Sequence, residues 1–479
     1  MANILKRFPQ TFWVANTMEL FERWAWYGLF TVLAVYLTES TDTGALGFSQ
    51  TQKGTIMGVV TAILYLLPIF TGALADKVGF KKVLIFAYII LASGYYLMGT
   101  LTGYAAVFAV FLLIALGAAL FKPIISATIS KTTTNETSSI GFGIYYMLVN
   151  IGGFLGPVVA VKVKALSWDY VFLMATFSII INLILVIFLY KEPQREKNTN
   201  TLFISIKSAL KNIFTVLTDG KYLLFLLIIA GFWTMFNQIF YTLPNFISQW
   251  VDTTVLYNAI ADISPALAAS IGEANGTIDQ AMIISIDAGL IILFQVIIST
   301  IVMRFKPLGT MITGIFICSI AVGIAFMTGN GFYVILGLVL FSVGEMTSSP
   351  KFTEYVGSIA PADKKALYMG TSYLPMALGN LLAGVFSGPV YQSLSDKVTL
   401  LQTEMQKRGF QMPQITEDYT INSFYTDAAS RLEMTQTEMA DMLWQTYNPS
   451  QIWYIFTAIG LLATVSLFIY DKVFSKKIQ

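Results

Sequence analysis

Long apolar runs separated by short polar segments occupy most of this chain. Twelve of them have the length of about 20 residues that an α-helix needs to cross a bilayer. They lie near 11–37, 51–74, 82–103, 105–129, 140–163, 169–190, 222–248, 282–303, 308–328, 331–355, 366–391 and 450–470. The pattern predicts an all-α membrane protein with a six-helix bundle over 1–191, a linker over 192–221 and a second six-helix bundle over 222–479 that includes an outer loop at 392–449.

Basic residues concentrate on one predicted side of the membrane, which sets the expected orientation. They are Lys6, Arg7, Lys77, Lys81, Lys82, Lys131, those of the 191–221 stretch, Arg304, Lys306, Lys364, Lys365, Lys472, Lys476 and Lys477. The loop at 251–281, on the other side, carries four acidic residues and no Lys or Arg. We therefore expect a multi-pass protein of a bacterial cytoplasmic membrane with both termini in the cytoplasm, and no cleavable signal peptide.

Composition excludes several classes of function. Of the 479 residues, 56% are hydrophobic and 12% are charged, and the formal net charge is only +2, which gives no reason to expect a nucleic-acid partner. The chain has no histidine and one cysteine, Cys318. Histidine metal sites and histidine general bases are thus excluded, and we expect neither a cofactor nor an enzyme. Any proton chemistry near neutral pH must use carboxyl groups.

Two polar segments predict helices that do not span the membrane. In the linker, apolar residues recur at helical spacing opposite Lys207 and Lys211, which is typical of a helix on a membrane surface. They are Phe203, Ile206, Leu210, Ile213 and Leu217. In the outer loop, Thr435 and Glu438 fit a capping box and predict a helix over about 436–446. A structural cap and a binding site are both open as the role of this loop.

Three charges, Glu19, Glu22 and Arg23, lie inside the first apolar run. A charge at the bilayer centre costs roughly 2.5–3.5 kcal/mol on insertion scales, so such residues usually face a polar cavity. Spacings of three and four place them on one helix face. The arginine can grip a carboxylate with two bonds, and a buried glutamate can exchange a proton as a neighbouring cation moves. Alternatively, they form an internal ion pair while Lys122 extends towards water.

Several motifs resemble known transporter families. The stretch Gly72-Ala-Leu-Ala-Asp76-Lys-Val-Gly79-Phe-Lys81-Lys82 resembles the loop motif of the major facilitator superfamily. Four further stretches resemble the proton-dependent oligopeptide transporters within it. They are Glu19-Leu-Phe-Glu22-Arg23-Trp-Ala-Trp-Tyr27-Gly28, Gly117-Ala-Ala-Leu-Phe-Lys122-Pro123-Ile-Ile-Ser126, Gly141-Phe-Gly-Ile-Tyr-Tyr146-Met-Leu-Val-Asn150-Ile-Gly152 and Gly344-Glu345-Met-Thr-Ser-Ser349-Pro350. The resemblance implies the twelve-helix fold of that superfamily, with two halves that rock about a central cavity.

The resemblance also implies roles for single residues. Arg23 and Lys122 would lie near a substrate carboxylate, and Glu345 would hold a substrate amino group. Glu22 would carry the proton, Glu19 would take part in the same network, and Lys122 would pair with Glu22 and expel the proton when the substrate leaves. The remaining residues implied to contact substrate are Tyr27, Asn150, Asn237, Gln238 and Ser349.

The chain departs from the family pattern at a few positions. Phe30 and Asn237 stand where the family usually has an arginine and an acid, so both partners of a plausible ion pair are missing. Ser372 stands in place of a tryptophan. Asp287 is either a second proton site or a helix N-cap, and the pair Lys351 and Glu354 is either a gate or a solvated helix end.

These observations together predict a proton-coupled importer of di- and tripeptides. The alternative keeps the fold and the coupling but changes the solute to another carboxylated or zwitterionic compound. The expected partners are this solute, protons and the lipid bilayer, and the expected assembly is a monomer. A membrane enzyme and an outer-loop receptor are the other classes of protein that we considered.

Overall fold

The computed structural model describes residues 5–134, 136–194, 202–361 and 364–474, and these residues fold almost entirely into helices. The α-helices, numbered in chain order, are α1 Gln10–Thr38, α2 Gln50–Leu66, α3 Pro68–Val78, α4 Phe80–Met98, α5 Tyr104–Lys131, α6 Ser138–Lys164, α7 Trp168–Phe188, α8 Leu202–Leu217, α9 Gly220–Phe236, α10 Gln238–Tyr241, α11 Leu243–Trp250, α12 Thr254–Ile263, α13 Pro265–Ile271, α14 Gln280–Val302, α15 Pro307–Ala325, α16 Gly331–Ile359, α17 Lys365–Thr371, α18 Leu374–Val385, α19 Tyr391–Leu394, α20 Lys397–Lys407, α21 Ile421–Leu432, α22 Gln436–Tyr447 and α23 Gln451–Phe474.

All twelve predicted spans coincide with helices. Within the described ranges, ten helical stretches are long and apolar enough to cross a membrane, and α2 with α3 makes an eleventh that bends by 48°. The bend lies beside Pro68, which lacks the N–H that a continuous helix requires. The twelfth is α1, whose charges lower its hydropathy. Its 29 residues extend about 44 Å at 1.5 Å per residue, and it packs against α6 and α7.

The buried apolar side chains form two clusters, one mainly in α1–α7 and one mainly in α9–α23. We refer to these two sets of helices as the N-terminal half and the C-terminal half. The linker helix α8 lies between them in sequence and contacts α3 of one half and α17 of the other. We call the face of the molecule that carries α8 the linker side, and the opposite face, which carries α20–α22, the outer side.

Two of the predicted non-spanning helices are confirmed. The linker helix spans Leu202–Leu217, although the side chains of Phe203 and Ile206 are outside what the structure describes. The outer helix spans Gln436–Tyr447 and begins with the predicted capping box of Thr435 and Glu438. Lys476 and Lys477 lie outside the described residues. The short helices α12, α13, α20 and α21 were not predicted, because none has an apolar run of membrane length.

The backbones of the two halves meet at the outer side. Gly54 and Gly58 of α2 lie so close to Gly384 of α18 that a Cβ at any of the three would overlap backbone atoms. Small residues allow helices in a membrane to approach in this way. At the other end, Gly143 and Gly370 have no atom near the position of a Cβ. The closest backbone contacts between the halves therefore lie at the outer side.

The loop motif between α3 and α4 joins helix ends within the N-terminal half. Gly79 adopts φ 113° and ψ 139°, which allows the chain to reverse between the two helices. Lys81 Nζ donates to the carbonyl oxygens of Ile187 at 2.9 Å and Tyr190 at 3.2 Å, at the end of α7. The carboxylate of Glu192 accepts a bond from the Phe80 N–H at 2.9 Å.

Of the other motif residues, Gly72 lies within α3 with open space beside it. Asp76 lies exposed on the last turn of the same helix. Glu192 was not anticipated, because it lies more than a hundred positions from the N–H groups that it binds.

We predict that Gly79→Ala destabilises the protein by about 1–3 kcal/mol, since a side chain strains a backbone with this positive φ. Gly72→Ala is the matched control, because it adds the same methyl group inside a helix and into open space. Thermal unfolding of both variants in detergent tests this expectation. Equal unfolding temperatures for the two would contradict it.

Candidate functional site

The three charges of the first apolar run form a compact cluster on α1. Arg23 Nε donates to Glu22 Oε2 at 2.6 Å and lies 3.4 Å from Glu19 Oε1. All three side chains are buried, and Glu22 is completely inaccessible to solvent. Glu19 Oε2 and Glu22 Oε1 have no hydrogen-bond partner. Since buried acceptors are usually satisfied, these two oxygens mark a place where a proton or a donor group can bind.

Close packing against α6 and α7 fixes α1 in this position. At Gly152 of α6, a Cβ would lie 2.7 Å from the Leu20 carbonyl oxygen and 2.8 Å from Arg23 Cβ, and Gly156 contacts Gly28 in the same way. From α7, Asn182 Nδ2 donates to the Met18 carbonyl oxygen at 2.8 Å. Gly152 and Gly156 therefore act by bringing two helix backbones together.

A cavity of about 290 Å³ lies next to Arg23, towards the linker side, and we call it the basic cavity. The charged residues that line it are Arg23 and Lys122, and Ser126 adds a hydroxyl group. The remaining wall is formed by Trp26, Tyr27, Leu64, Tyr65, Pro68, Ala118, Ala119, Pro123, Gly370 and Tyr373. The cavity thus combines two cationic groups with an apolar wall, which suits a carboxylate.

A second cavity of about 220 Å³ lies towards the outer side, and we call it the acidic cavity. Its charged lining residues are Asp287 of α14 and Glu345 of α16. Its amide groups come from Asn150, Asn237 and Asn380, and most of the rest is aromatic or aliphatic. Trp26, Tyr27 and Tyr65 line both cavities, so the two spaces adjoin and have opposite charge.

Four buried polar atoms on residues of the acidic cavity lack a partner. Two are donors, Asn237 Nδ2 and Trp233 Nε1, one is an acceptor, Glu345 Oε2, and one is the hydroxyl oxygen Thr61 Oγ1. Asn237 is only 8% exposed. Unsatisfied donors and acceptors around one small space are what a polar ligand would satisfy.

Asp287 and Glu345 form a pair. Both side chains line the acidic cavity, and Ser342 Oγ donates to Asp287 Oδ1 at 2.5 Å. Two carboxyl groups that share a buried site favour a state in which one of them holds a proton. The N-cap interpretation of Asp287 is wrong, because the N-cap of α14 is Asp279, which accepts from the Ala281 N–H at 2.7 Å.

Aromatic side chains occupy the place of the missing ion pair between the halves. The Phe30 ring stacks on Trp26 with a centroid separation of 5.1 Å, and it contacts Phe240 at 6.0 Å and Tyr241 at 6.1 Å. Asn237 lies beside them at the break between α9 and α10. The contact at this position is therefore apolar, where the family pattern led us to expect a charge pair.

Some of the expected binding residues lie away from the two cavities. Gln238 Nε2 donates to the Thr234 carbonyl oxygen at 2.9 Å, and Gln238 Oε1 accepts from Thr242 Oγ1 at 2.6 Å. The side-chain amide therefore forms its hydrogen bonds with residues four positions away in sequence. Ser349 lines a separate gap of about 10 Å³ between α9, α15 and α16. Neither residue lines the basic or the acidic cavity. Ser372 is buried and donates to the Met369 carbonyl oxygen at 2.7 Å.

The remaining expected residues have local partners. Asn150 lines the acidic cavity with its Nδ2 donating to the Tyr146 carbonyl oxygen at 2.8 Å. Tyr27 lies under Arg23, whose guanidinium carbon is 5.8 Å from the ring centroid. Lys351 and Glu354 form a pair at 2.8 Å within α16, with Glu354 half exposed. The last pair joins residues of a single helix and so does not connect the halves.

Sequence reasoning missed polar contacts between the halves at the outer side. Lys53, wholly buried on α2, donates to the Tyr241 carbonyl oxygen at 2.9 Å. Lys164 Nζ at the end of α6 lies 2.9 Å from Asp279 Oδ2 of the C-terminal half. The available signals were a lone lysine in the second apolar run and a lysine at the outer end of the fifth, opposite the acidic 251–281 loop.

Comparison with known proteins agrees with this architecture. Residues 17–384 match the family model described as Major Facilitator Superfamily. The dipeptide and tripeptide permease A of Escherichia coli (strain K12) is 32% identical over 182 residues, which cover 37% of this chain and 35% of the permease. The uncharacterized transporter YclF of Bacillus subtilis (strain 168) is 30% identical over 168 residues, with 33% and 34% covered. The matched segments thus span about a third of these relatives.

Solved structures are similar over nearly their whole length. A POT family transporter in complex with 5-aminolevulinic acid has a TM-score of 0.70 at 18% identity and is covered to 99%, as is this chain. Tetrameric PepTSo2 has a TM-score of 0.68 at 17% identity, with 98% of this chain and 99% of that one covered. At these identities the match shows the fold.

The resemblance to the oligopeptide transporters is therefore confirmed by the relatives, and the predicted twelve-helix architecture by the solved structures. The family match covers most of the chain, including both cavities. The chain belongs to the major facilitator superfamily.

Proposed function

We propose that this protein imports short peptides together with protons across a bacterial cytoplasmic membrane, with both termini on the cytoplasmic face. The observation that carries the proposal is the opposite charge of the two adjoining cavities between the halves. A peptide has one cationic and one anionic end, and a site with separated charges of the opposite sign matches both ends. The permease relatives named above support the same solute class.

The unpaired polar atoms suggest how a peptide would bind. Its carboxylate would enter the basic cavity between Arg23 and Lys122, where the guanidinium group can donate two parallel bonds. Its ammonium group would donate to Glu345 Oε2, and Asn237 Nδ2 would donate to its backbone carbonyl oxygen. Tyr27, which lines both cavities, would lie beside the middle of the molecule. The ammonium group and the backbone carbonyl oxygen would then satisfy protein atoms that are otherwise unpaired.

Glu22 would carry the transported proton, and Arg23 would control it. In this structure Arg23 binds Glu22 directly, so the carboxylate is neutralised by its neighbour. A substrate carboxylate that draws Arg23 away would leave Glu22 without a countercharge in a dry site, and Glu22 would then take up a proton. Substrate release would restore the pair and expel the proton. Lys122 would assist by holding the same substrate carboxylate, rather than by pairing with Glu22.

The Asp287–Glu345 pair would provide a second proton site. Asp287 on α14 would compensate for the acid that is missing at Asn237 of α9, since both residues line the same cavity. An arriving ammonium group would compete with the proton that the two carboxyl groups share. The side of the membrane that the site faces would therefore decide whether the carboxyl pair keeps this proton or releases it.

The second candidate is a non-peptide amino acid. One structural relative is described in complex with 5-aminolevulinic acid, an amino carboxylic acid without a peptide bond. Phe30 reduces the polar lining of the acidic cavity, which limits the contacts available to a longer backbone. Competition between dialanine and 5-aminolevulinic acid for uptake would separate the two solutes. The assembly is proposed to be a monomer, although a tetramer occurs among the structural relatives.

We expect liposomes containing the protein to accumulate labelled dialanine when an inward proton gradient is imposed, and Glu22→Gln to lower this accumulation sharply, since only the Asp287–Glu345 pair would still exchange a proton. The amide cannot exchange a proton, yet it keeps the shape of the side chain, so exchange of internal for external dialanine should persist. Glu136→Gln, which alters an exposed partner of Arg7, is the control and should behave as the unmodified protein. Accumulation by Glu22→Gln at the level of that control would contradict the proposal.

We expect Asp287→Asn to lower the proton stoichiometry while allowing downhill uptake. With one proton fewer, the limiting accumulation ratio falls by about tenfold for each pH unit of gradient, because one pH unit corresponds to 1.36 kcal/mol. The measurement is the accumulation of dialanine at several pH gradients without a membrane potential. Ser342→Ala is the control, since it removes the hydroxyl that binds Asp287 but no titratable group. An unchanged ratio in Asp287→Asn would show that the pair transports no proton.

A further inference from the structure

The segment between the last two spanning helices carries α20, α21 and α22 and crosses from one half to the other at the outer side. We propose that this segment is a strap, fixed to the C-terminal half and bound reversibly to the N-terminal half, that holds the outer side closed. The inference rests on the alternating access of the proposed function, but not on its solute.

The strap is attached firmly to the C-terminal half. At its start, Trp250 Nε1 donates to the Ser395 carbonyl oxygen at 2.8 Å, and Ser395 Oγ donates to the Pro449 carbonyl oxygen at 2.6 Å. Trp444 of α22 packs against Trp250, with the ring centroids 5.9 Å apart. Buried aromatic contacts of this kind contribute beyond their area. The strap would therefore move with the C-terminal half.

Asp396 connects the start of the strap to both halves. Its Oδ1 accepts from Gln50 Nε2 of α2 and from Gln249 Nε2 of α11, each at 3.0 Å. Its Oδ2 accepts from the Thr399 N–H at 3.1 Å and so caps α20. One buried carboxylate thus ties the N-terminal half, the C-terminal half and the first strap helix to a single point.

The far end of the strap binds the loop after α1. Asn422 Nδ2 of α21 donates to Asp42 Oδ2 at 2.9 Å, and the Asn422 N–H donates to Ser40 Oγ at 3.2 Å. Burial alone would raise the pKa of Asp42, but hydrogen bonds from Ser40 and Asn422 outweigh it and lower that pKa. Asp42 is therefore ionised at neutral pH, and its bond to Asn422 is charge-assisted.

The contact at this far end is suited to repeated release. A cavity of about 670 Å³ separates the strap from the outer loops of the N-terminal half. Residues 415–417 line one side of it, and residues 44–48 and 102–104 line the other. The strap therefore touches this half mainly through hydrogen bonds, which water can replace, and not through a packed apolar surface. Opening the outer side requires these bonds to break.

The test measures the distance across the outer side by spin labels at Ala105→Cys on α5 and Ala266→Cys on α13. Both positions are exposed, and Cys318 is buried, so it leaves the labelling specific. We expect Asp42→Ala to raise the ratio of open to closed populations by about tenfold, in the range expected for a lost hydrogen bond to a charged group. Asn422→Ala should raise this ratio by a similar factor. The double variant should raise it little more than either single variant, since both substitutions remove the same bond between Asn422 and Asp42.

Asp427→Ala is the matched control on the same helix. Its carboxylate accepts from Arg431 Nε at 3.1 Å and from the Tyr419 hydroxyl at 3.0 Å, both within the strap. Asp427→Ala should leave the distribution of distances between the two spin labels unchanged. An unchanged distribution in Asp42→Ala and Asn422→Ala, or an equal change in Asp427→Ala, would overturn the proposal. Because no solute is added, the result is independent of whether peptides are transported.

Discussion

The ion pair between Arg23 and Glu22 is the interaction on which the rest of the site depends. Two carboxylates and one guanidinium group lie on a single buried helix face, and only one oxygen of each carboxylate has a partner. The cluster is stable only while Arg23 remains beside it, because an unpaired charge at this depth is costly. Any anion that competes for Arg23 must therefore change the protonation of the cluster. In the proposed mechanism, this single constraint links binding to proton movement.

Contacts between helices, at the outer side and around α1, determine the surroundings of the charge cluster on α1. Glycines bring α2 and α18 into backbone contact, and α1 is fixed by glycines of α6. Where relatives are expected to have an ion pair, Phe30 contacts aromatic rings of the C-terminal half. The polar contacts between the halves lie further out, at Lys53, Lys164 and Asp396. The chain thus has an apolar layer next to the cavities and a polar layer outside it.

The sequence predicted those features that residues close in sequence determine. The charges on α1 share a face because of helical spacing, and Thr435 with Glu438 caps a helix within one turn. It did not predict the Asp287–Glu345 pair, whose members lie on two helices that only the fold brings together. Gln238 and Ser349 were expected to contact substrate but line neither cavity, since a motif position does not reveal which way a side chain points.

Proton uptake on substrate binding is the most direct test of the link between Arg23 and Glu22. The purified protein would be placed in weakly buffered detergent solution with a pH indicator, and dialanine would be added while calorimetry confirms binding. The account predicts that the unmodified protein takes up protons from solution as the peptide binds, and that Glu22→Gln binds the peptide with a smaller uptake. Binding with the same proton uptake in both proteins would contradict the assignment of Glu22 as the site that substrate controls.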